Sequence, residues 1–179
     1  MSRSVLLLRA VNVGGRSRVP MAELRALLSA EMRADLGEVT TYIASGNIVC
    51  EHPSDPGAAR ARVRSLISAQ FGVDTPVILR SHDALLKALQ ENPFPDASEK
   101  MLHAMFLEGA AAPGAVAALR ERAGAGERLE LVGDDLWIDY GDGGVQSTKL
   151  TKAVLDRALG VAGTARNLRT VRALVDLTA

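Results

Sequence analysis

The run VLLLRAV at residues 5–11 is apolar on both faces of any strand it forms, and only Arg9 interrupts it. Alternate side chains of a strand point to opposite faces, so such a run has to sit inside a sheet that is covered on both sides. The chain therefore opens on a central strand. The next segments fit a layered lobe. Pro20 suits the first turn of a helix, Glu23 favours its positive end, and Leu24, Leu27 and Leu28 make one apolar stripe. Residues 39–44 and 47–50 read as strands around Ser45 and Gly46, the shortest hairpin connection, in which Gly46 or Asn47 accepts positive φ. After the breakers EHPSDP, Val63, Leu66, Ile67 and Phe71 predict a helix over 57–71, and 76–80 gives another strand.

The order β-α-β-β-α-β is the split βαβ pattern of ferredoxin-like folds, and it assigns residues 1–80 to one such lobe. Residues 81–99 form a helical connector, capped by Ser81 and stopped by prolines. A second lobe over 100–179 has a strand at 101–107, a helix at 114–122 and a hairpin of 128–132 with 136–140 across Gly133 and Asp134. Helices at 148–159 and 167–177 finish it. The expected class is α+β, a ferredoxin-like βαββαβ lobe followed by a smaller α+β lobe that ends in two helices and lacks the final strand.

The chain has 179 residues, 47% hydrophobic and 23% charged, enough to bury a full core. Cys50 is its one cysteine, which excludes an intrachain disulfide and a zinc site built on paired cysteines. No apolar run reaches the roughly 18 residues of a membrane span, and the start has no leader-cleavage pattern. A cytoplasmic protein, neither exported nor membrane-bound, is expected. Net charge is zero but unevenly spread. Residues 1–25 hold five arginines against Glu23, a net +4, and residues 141–179 hold six Lys/Arg against three Asp, a net +3, which leaves −7 on the middle. Basic ends that meet would make a positive cleft attractive to phosphates or nucleic acid; basic ends that lie apart would only solubilise.

The loop RAVNVGGRSRV, residues 9–19, is the first candidate site. Gly14 and Gly15 let the backbone turn and present N–H groups, and Arg16 and Arg18 add charge, as anion-binding loops do. It lacks the spacing of nucleotide P-loops and of dinucleotide fingerprints, and two adjacent glycines also make an ordinary turn. Arg9 has to face either a carboxylate such as Glu51 or an open sheet face. Strand alternation puts it opposite Asn12. Hairpin chemistry accounts for ASGN, residues 44–47. STKLTK and TARN each read as a helix start with hydroxyl, amide and cationic groups, from Ser147, Thr148, Lys149 and Lys152 in one and Thr164, Arg166 and Asn167 in the other. For catalysis there is little. His52, His82 and His103 lack metal spacing, Cys50 ends an apolar strand as a buried thiol, and Asp134, Asp135, Asp139 and Asp142 read as turn and rim acids. With 3% aromatic residues, base-stacking platforms for specific single-stranded RNA are missing.

The ordered blocks LLRAVNVGG, VPMAELRALL, TYIASGNIVC, ENPFP and TKLTKAVLDRALGVAGTARNLRTV resemble the domain-of-unknown-function 1697 family across nearly the whole chain. The resemblance implies a two-lobe α+β fold with a ferredoxin-like first lobe, and no established activity, substrate or cofactor. Its polar positions fall on Arg9, Asn12, Gly14, Gly15, Ser45, Gly46, Asn47, Lys149, Thr151, Arg166 and Asn167. The chain departs from the family pattern at Ala10 for Gly, Ala44 for Gln, Thr148 for Ser and Leu168 for Trp.

The leading expectation is a binding module with a basic cleft between its lobes for a nucleotide or nucleic-acid backbone. Arg9, Asn12, Lys149 and Arg166 would contact the anion, Gly14, Gly15 and Asn167 would donate backbone N–H groups, and Ser45, Asn47 and Thr151 complete the candidate set. No metal or cofactor is called for. The alternatives are a hydrolase or transferase acting on a small metabolite in the same cleft, or a dimeric interaction protein without catalysis.

Overall fold

The central strand is there, but shorter than the apolar run. In the computed structural model, which describes residues 2–179, β1 spans Arg3–Leu8 with Ser4 to Leu8 all buried. It pairs antiparallel on one side with β3, Asn47–Glu51, and on the other with β4, Val77–Ser81. Beyond Leu8 the chain leaves the sheet, because Ala10 takes φ +51° and no strand continues through a left-handed residue. Strand β2, Thr40–Tyr42, completes a four-stranded antiparallel sheet in the order β2-β3-β1-β4.

Both faces of β1 are covered. Leu6 and Leu8, with Ile48 and Cys50 of β3, meet Leu24 and Leu28 of α1, Met21–Glu31, and Val63 and Ile67 of α3, Pro56–Phe71. Val5, Leu7 and Val49 point the other way and are equally buried. Each such side chain contributes roughly 1.5–3 kcal/mol. Helix α3 starts as its composition dictates, with Asp55 accepting the Ala58 N–H at 2.9 Å and Pro56 in the first turn. A short α2, Arg33–Leu36, precedes β2. The hairpin differs from the tight turn expected: Tyr42 pairs with Asn47, so residues 43–46 form a four-residue loop. Ile43 sits in it at φ +51°.

After α4, His82–Gln90, comes the second sheet. It contains β5, Leu102–Leu107, β6, Arg128–Val132, β7, Asp135–Asp139, and β8, Gly163–Asn167, in the order β6-β7-β5-β8, all antiparallel. Helices α5, Ala115–Arg120, α6, Gly144–Ser147, and α7, Lys152–Leu159, belong to this part, and α8, Leu168–Thr178, ends the chain. Here the expectation of a lobe finished by two consecutive helices fails. Strand β8 separates them, and β5 is central in its sheet just as β1 is in its own. The reason is legible afterwards: GTARN is small and polar, with no β-branched apolar residue to mark a strand, and its strand character comes from pairing with β5.

By contacts, residues up to Leu85 group with Leu174–Ala179 as one unit, and Leu86–Ala173 make the other. The class is α+β with two antiparallel four-stranded sheets. No helix of the described residues is long and apolar enough to cross a membrane.

Candidate functional site: two tied loops in the first unit

At the end of β1 the chain enters a loop that is held almost atom by atom. The buried Thr75 hydroxyl accepts the Arg9 N–H at 3.0 Å and donates to the Arg9 carbonyl at 2.7 Å. Asn12 does more. Its amide nitrogen donates to the carbonyls of Val19, 2.9 Å, and Ala44, 2.8 Å, while its amide oxygen accepts the Val19 N–H at 2.8 Å. The Asn12 N–H donates to the Ser17 carbonyl and the Arg16 N–H to the Val13 carbonyl, so Val13 and Arg16 flank a two-residue turn. Gly14 and Gly15 fill that turn at φ +59° and +73°, the mirror-image geometry that hairpins prefer and that glycine adopts without penalty. Nothing stands within 4 Å of where a side chain on either would lie, so their backbone is open to approach.

The neighbouring loop at 43–46 is tied on through Ala44 and through the Leu8 N–H, which donates to the Gly46 carbonyl at 2.8 Å. Gly46 is required twice over. It has φ +84°, and a Cβ there would stand 2.7 Å from Leu8 Cβ. Asn47, fully buried, donates to the Tyr42 carbonyl at 2.9 Å and to Ser45 Oγ at 3.1 Å. Ala10, Asn12, Ser17 and Ile43 all carry positive φ. For a non-glycine residue this costs roughly 1–2 kcal/mol, less for Asn, and for β-branched Ile43 it is a true outlier. Strain of this kind persists only where the surroundings over-determine it, and it concentrates at ligand clamps.

The side chains these loops carry outward are basic and apolar. Arg16 and Arg18 are exposed, and among the described residues neither has an ion-pair partner. Val13 is 63% exposed and Ile43 49% exposed. Arg9 is half-buried at the root of the loop. Glu51 is not its partner, since Glu51 stands opposite Arg3 at the far end of β1. Six of the expected site residues, Arg9, Asn12, Gly14, Gly15, Ser45 and Asn47, thus come together. Asn12 and Asn47 do so as braces whose amides bond the protein itself. Val13 and Ile43 had no signal in the sequence beyond being apolar within polar loops.

The other four lie in the second unit, and three have structural roles. Thr151 accepts the Val154 N–H at 3.3 Å as the cap of α7, and Asn167 accepts the Thr170 N–H at 2.9 Å as the cap of α8. Arg166 and Thr164 do not open the last helix, as TARN suggests, but belong to β8. Arg166 is 6% exposed and donates to Thr164 Oγ1 at 2.8 Å and to the Ala165 carbonyl at 2.9 Å. Burial pulls its pKa down to about 10, which leaves it charged at neutral pH. Lys149 is exposed at the rim of a pocket in this unit.

The thiol and the three histidine rings are each buried or engaged. Cys50 is buried, and burial pushes its thiol up to about 12. His52 Nδ1 bonds Ser4 Oγ, His82 Nδ1 bonds Thr178 Oγ1, and His103 Nδ1 donates to the Met101 carbonyl. Among the described residues no cluster of His, Cys, Asp or Glu could hold a metal ion.

A family model described as a protein of unknown function, DUF1697, matches residues 1–137. The chain belongs to this family. It is also similar in structure to a conserved bacterial protein from Streptococcus pneumoniae, with a TM-score of 0.74 at 24% identity over 99% of each chain, a likeness of fold. No curated protein matches it significantly. In this DUF1697 chain the matched stretch contains both tied loops, whereas Lys149, Thr151, Arg166 and Asn167 lie beyond it. Ala10 stands where the family resemblance has glycine, and it holds the left-handed conformation that glycine would take freely.

Proposed function

We propose that this DUF1697 chain is a binding module for a phosphate-bearing ligand, a nucleotide or the backbone of a nucleic acid, held by the tied loops of its first unit. One observation carries the reading. Arg16 and Arg18 carry guanidinium groups without an ion pair among the described residues, on a loop whose strained backbone is already fixed by Asn12 and Thr75, so little ordering remains to oppose binding. The open backbone at Gly14 and Gly15 lets a phosphate approach closely. Exposed Val13 and Ile43 beside the arginines favour a ligand with a flat apolar surface next to its phosphate, as a base provides, over inorganic phosphate. The engaged histidines and sealed Cys50 favour binding over catalysis. This reading needs the first unit alone.

The test is a fluorescence titration with short single-stranded DNA, short duplex RNA and ATP across a salt series. At least one should bind, with affinity falling steeply as salt rises. Replacing Arg16 and Arg18 together by Ala should flatten the log–log slope by about 1.5, since each phosphate contact contributes roughly 0.7–0.9. ATP binding as well as the polymers marks a nucleotide site; polymer binding alone marks a backbone site. If none binds at low salt, or the double variant binds like the parent, the proposal fails.

A further inference from the structure

The other unit has a pocket at the end of its sheet, where β7 finishes. This pocket of about 330 Å³, at the small end of ligand-site sizes, is lined by Glu127, Tyr140, Asp142, Ser147, Thr148 and Lys149 among others. Tyr140 is 6% exposed, and its ring packs edge-on against His103 with centroids 5.1 Å apart. Its hydroxyl bonds no other described residue. Yet the only side-chain polar atom sealed away without a partner among the described residues is Trp137 Nε1. The Tyr140 hydroxyl is not among the sealed atoms, and Tyr140 is one of the residues that line this pocket. A buried phenol in the wall of a pocket, with no hydrogen bond from its hydroxyl to another described residue, is a hydrogen-bonding group that a ligand atom can satisfy.

The charges around it narrow the ligand. Lys149 is exposed and has no ion pair among the described residues, so its ammonium can meet an anionic group. Two carboxylates share the lining. Glu127 accepts the Gly124 N–H through one oxygen at 2.7 Å and keeps the other, and Asp142 is exposed without an ion pair among the described residues. One cation against two carboxylates disfavours a phosphate, whose double charge would meet net repulsion. It suits a molecule carrying one ammonium and one carboxylate. Thr148 Oγ1 accepts the Leu150 N–H at 3.0 Å and Ser147 Oγ donates to the Gly143 carbonyl at 2.5 Å, which fixes both hydroxyls at the wall.

We infer that this pocket binds a small zwitterion of the α-amino-acid class, with its carboxylate between Lys149 and the Tyr140 hydroxyl and its ammonium between Glu127 and Asp142. The site is separate from the loop site proposed above and stands without it. A neutral phenol has to donate for this arrangement to hold. Burial, with the Glu127 charge adding to it, pushes Tyr140 up to about 12, so the proton stays on.

The probes are L-serine, L-glutamate and L-lysine, each beside an analogue lacking the amine or lacking the carboxylate, with inorganic phosphate as the anion control. Binding is read from backbone amide shifts by NMR on the full chain. At least one amino acid should move the amides of residues 124–127 and 140–149, about tenfold tighter than either of its truncated analogues. Tyr140→Phe, which keeps the ring in the core, and Lys149→Ala, which is at the surface, should each weaken it about tenfold. Arg16→Ala should leave it unchanged. The inference is overturned if no amino acid perturbs these amides, if the truncated analogues bind as well, or if phosphate binds there in preference.

Discussion

At the residue scale, the loop after β1 shows how a polar side chain in a motif can mean two things. Asn12 and Asn47 look like ligand groups in the sequence because an amide aimed at a ligand and an amide aimed at a carbonyl are the same letter. Only three-dimensional closure tells them apart, and here both close on the protein. Gly14 and Gly15 were legible as a turn because their conformation is local. Ala10 was legible only as a departure from a family pattern, and its φ of +51° now gives that departure an energy. Replacing it by glycine removes roughly 1–2 kcal/mol of left-handed strain and gives back roughly 0.5–1 kcal/mol in unfolded-chain freedom. Ala10→Gly should therefore raise the urea midpoint by the equivalent of about 0.5–1 kcal/mol with the slope unchanged. A midpoint that stays put or drops would mean that the loop relaxes around alanine at no cost.

At the element scale, the strands with apolar alternation were readable and β8 was not, for the reason GTARN displays: strand formation there is imposed by β5 rather than by its own side chains. Long-range polar pairing was equally hidden. Asp139 reads as a rim acid, yet it is buried and accepts two hydrogen bonds from Arg128, at 2.9 and 2.7 Å, while Arg128 also lies 4.7 Å from the Phe94 ring centre and bonds Asp96. The partners are 11, 34 and 32 positions from Arg128, and no local pattern announces them. On β5, His103 sits in a row with Leu129 and Ile138, half-buried on the face of the second core. Burial depresses its pKa below 6.5, more than its bond to the Met101 carbonyl raises it. With the folded value below the unfolded one, the unfolded chain takes up this proton first as pH falls. The contribution is therefore fully present above about 6.5 and is lost as pH drops through the folded value. His103→Gln should flatten the decline of the denaturation midpoint between about pH 7 and 5. The depressed carboxyls of Asp74, beside Arg64, and Asp96, beside Arg128, act only in a more acid window near pH 4 and below. Parallel declines in parent and variant would assign the acid sensitivity elsewhere.

At the scale of the whole chain, the sequence suggests a division at residue 80, whereas contacts group residues up to Leu85 with Leu174–Ala179, so the six residues at the end go with the first unit and not with the segment that precedes them. Nothing in LVDLTA distinguishes one destination from another, because an amphipathic helix end is satisfied by any apolar surface that accepts it. Its attachment is nevertheless specific. Leu174 and Thr178 are buried, and Thr178 Oγ1 and His82 Nδ1 lie 3.1 Å apart. Cys50 supplies a built-in reporter for this unit, since it is fully buried in the first core and its thiol is held near 12, so a thiol reagent can reach it only through an opening of the sheet. In the full chain, labelling of Cys50 should track global unfolding. Removing residues 174–179 takes away the burial of Leu174, roughly 1.5–3 kcal/mol, together with the Thr178 contact, and each 1.4 kcal/mol is a factor of ten in the open population. The shortened chain should therefore label at least tenfold faster in native buffer. The single change Thr178→Val, which keeps the length and removes only the hydroxyl, should accelerate labelling by much less. Equal rates in the full and shortened chains would show that the first unit holds its core closed without the end of α8.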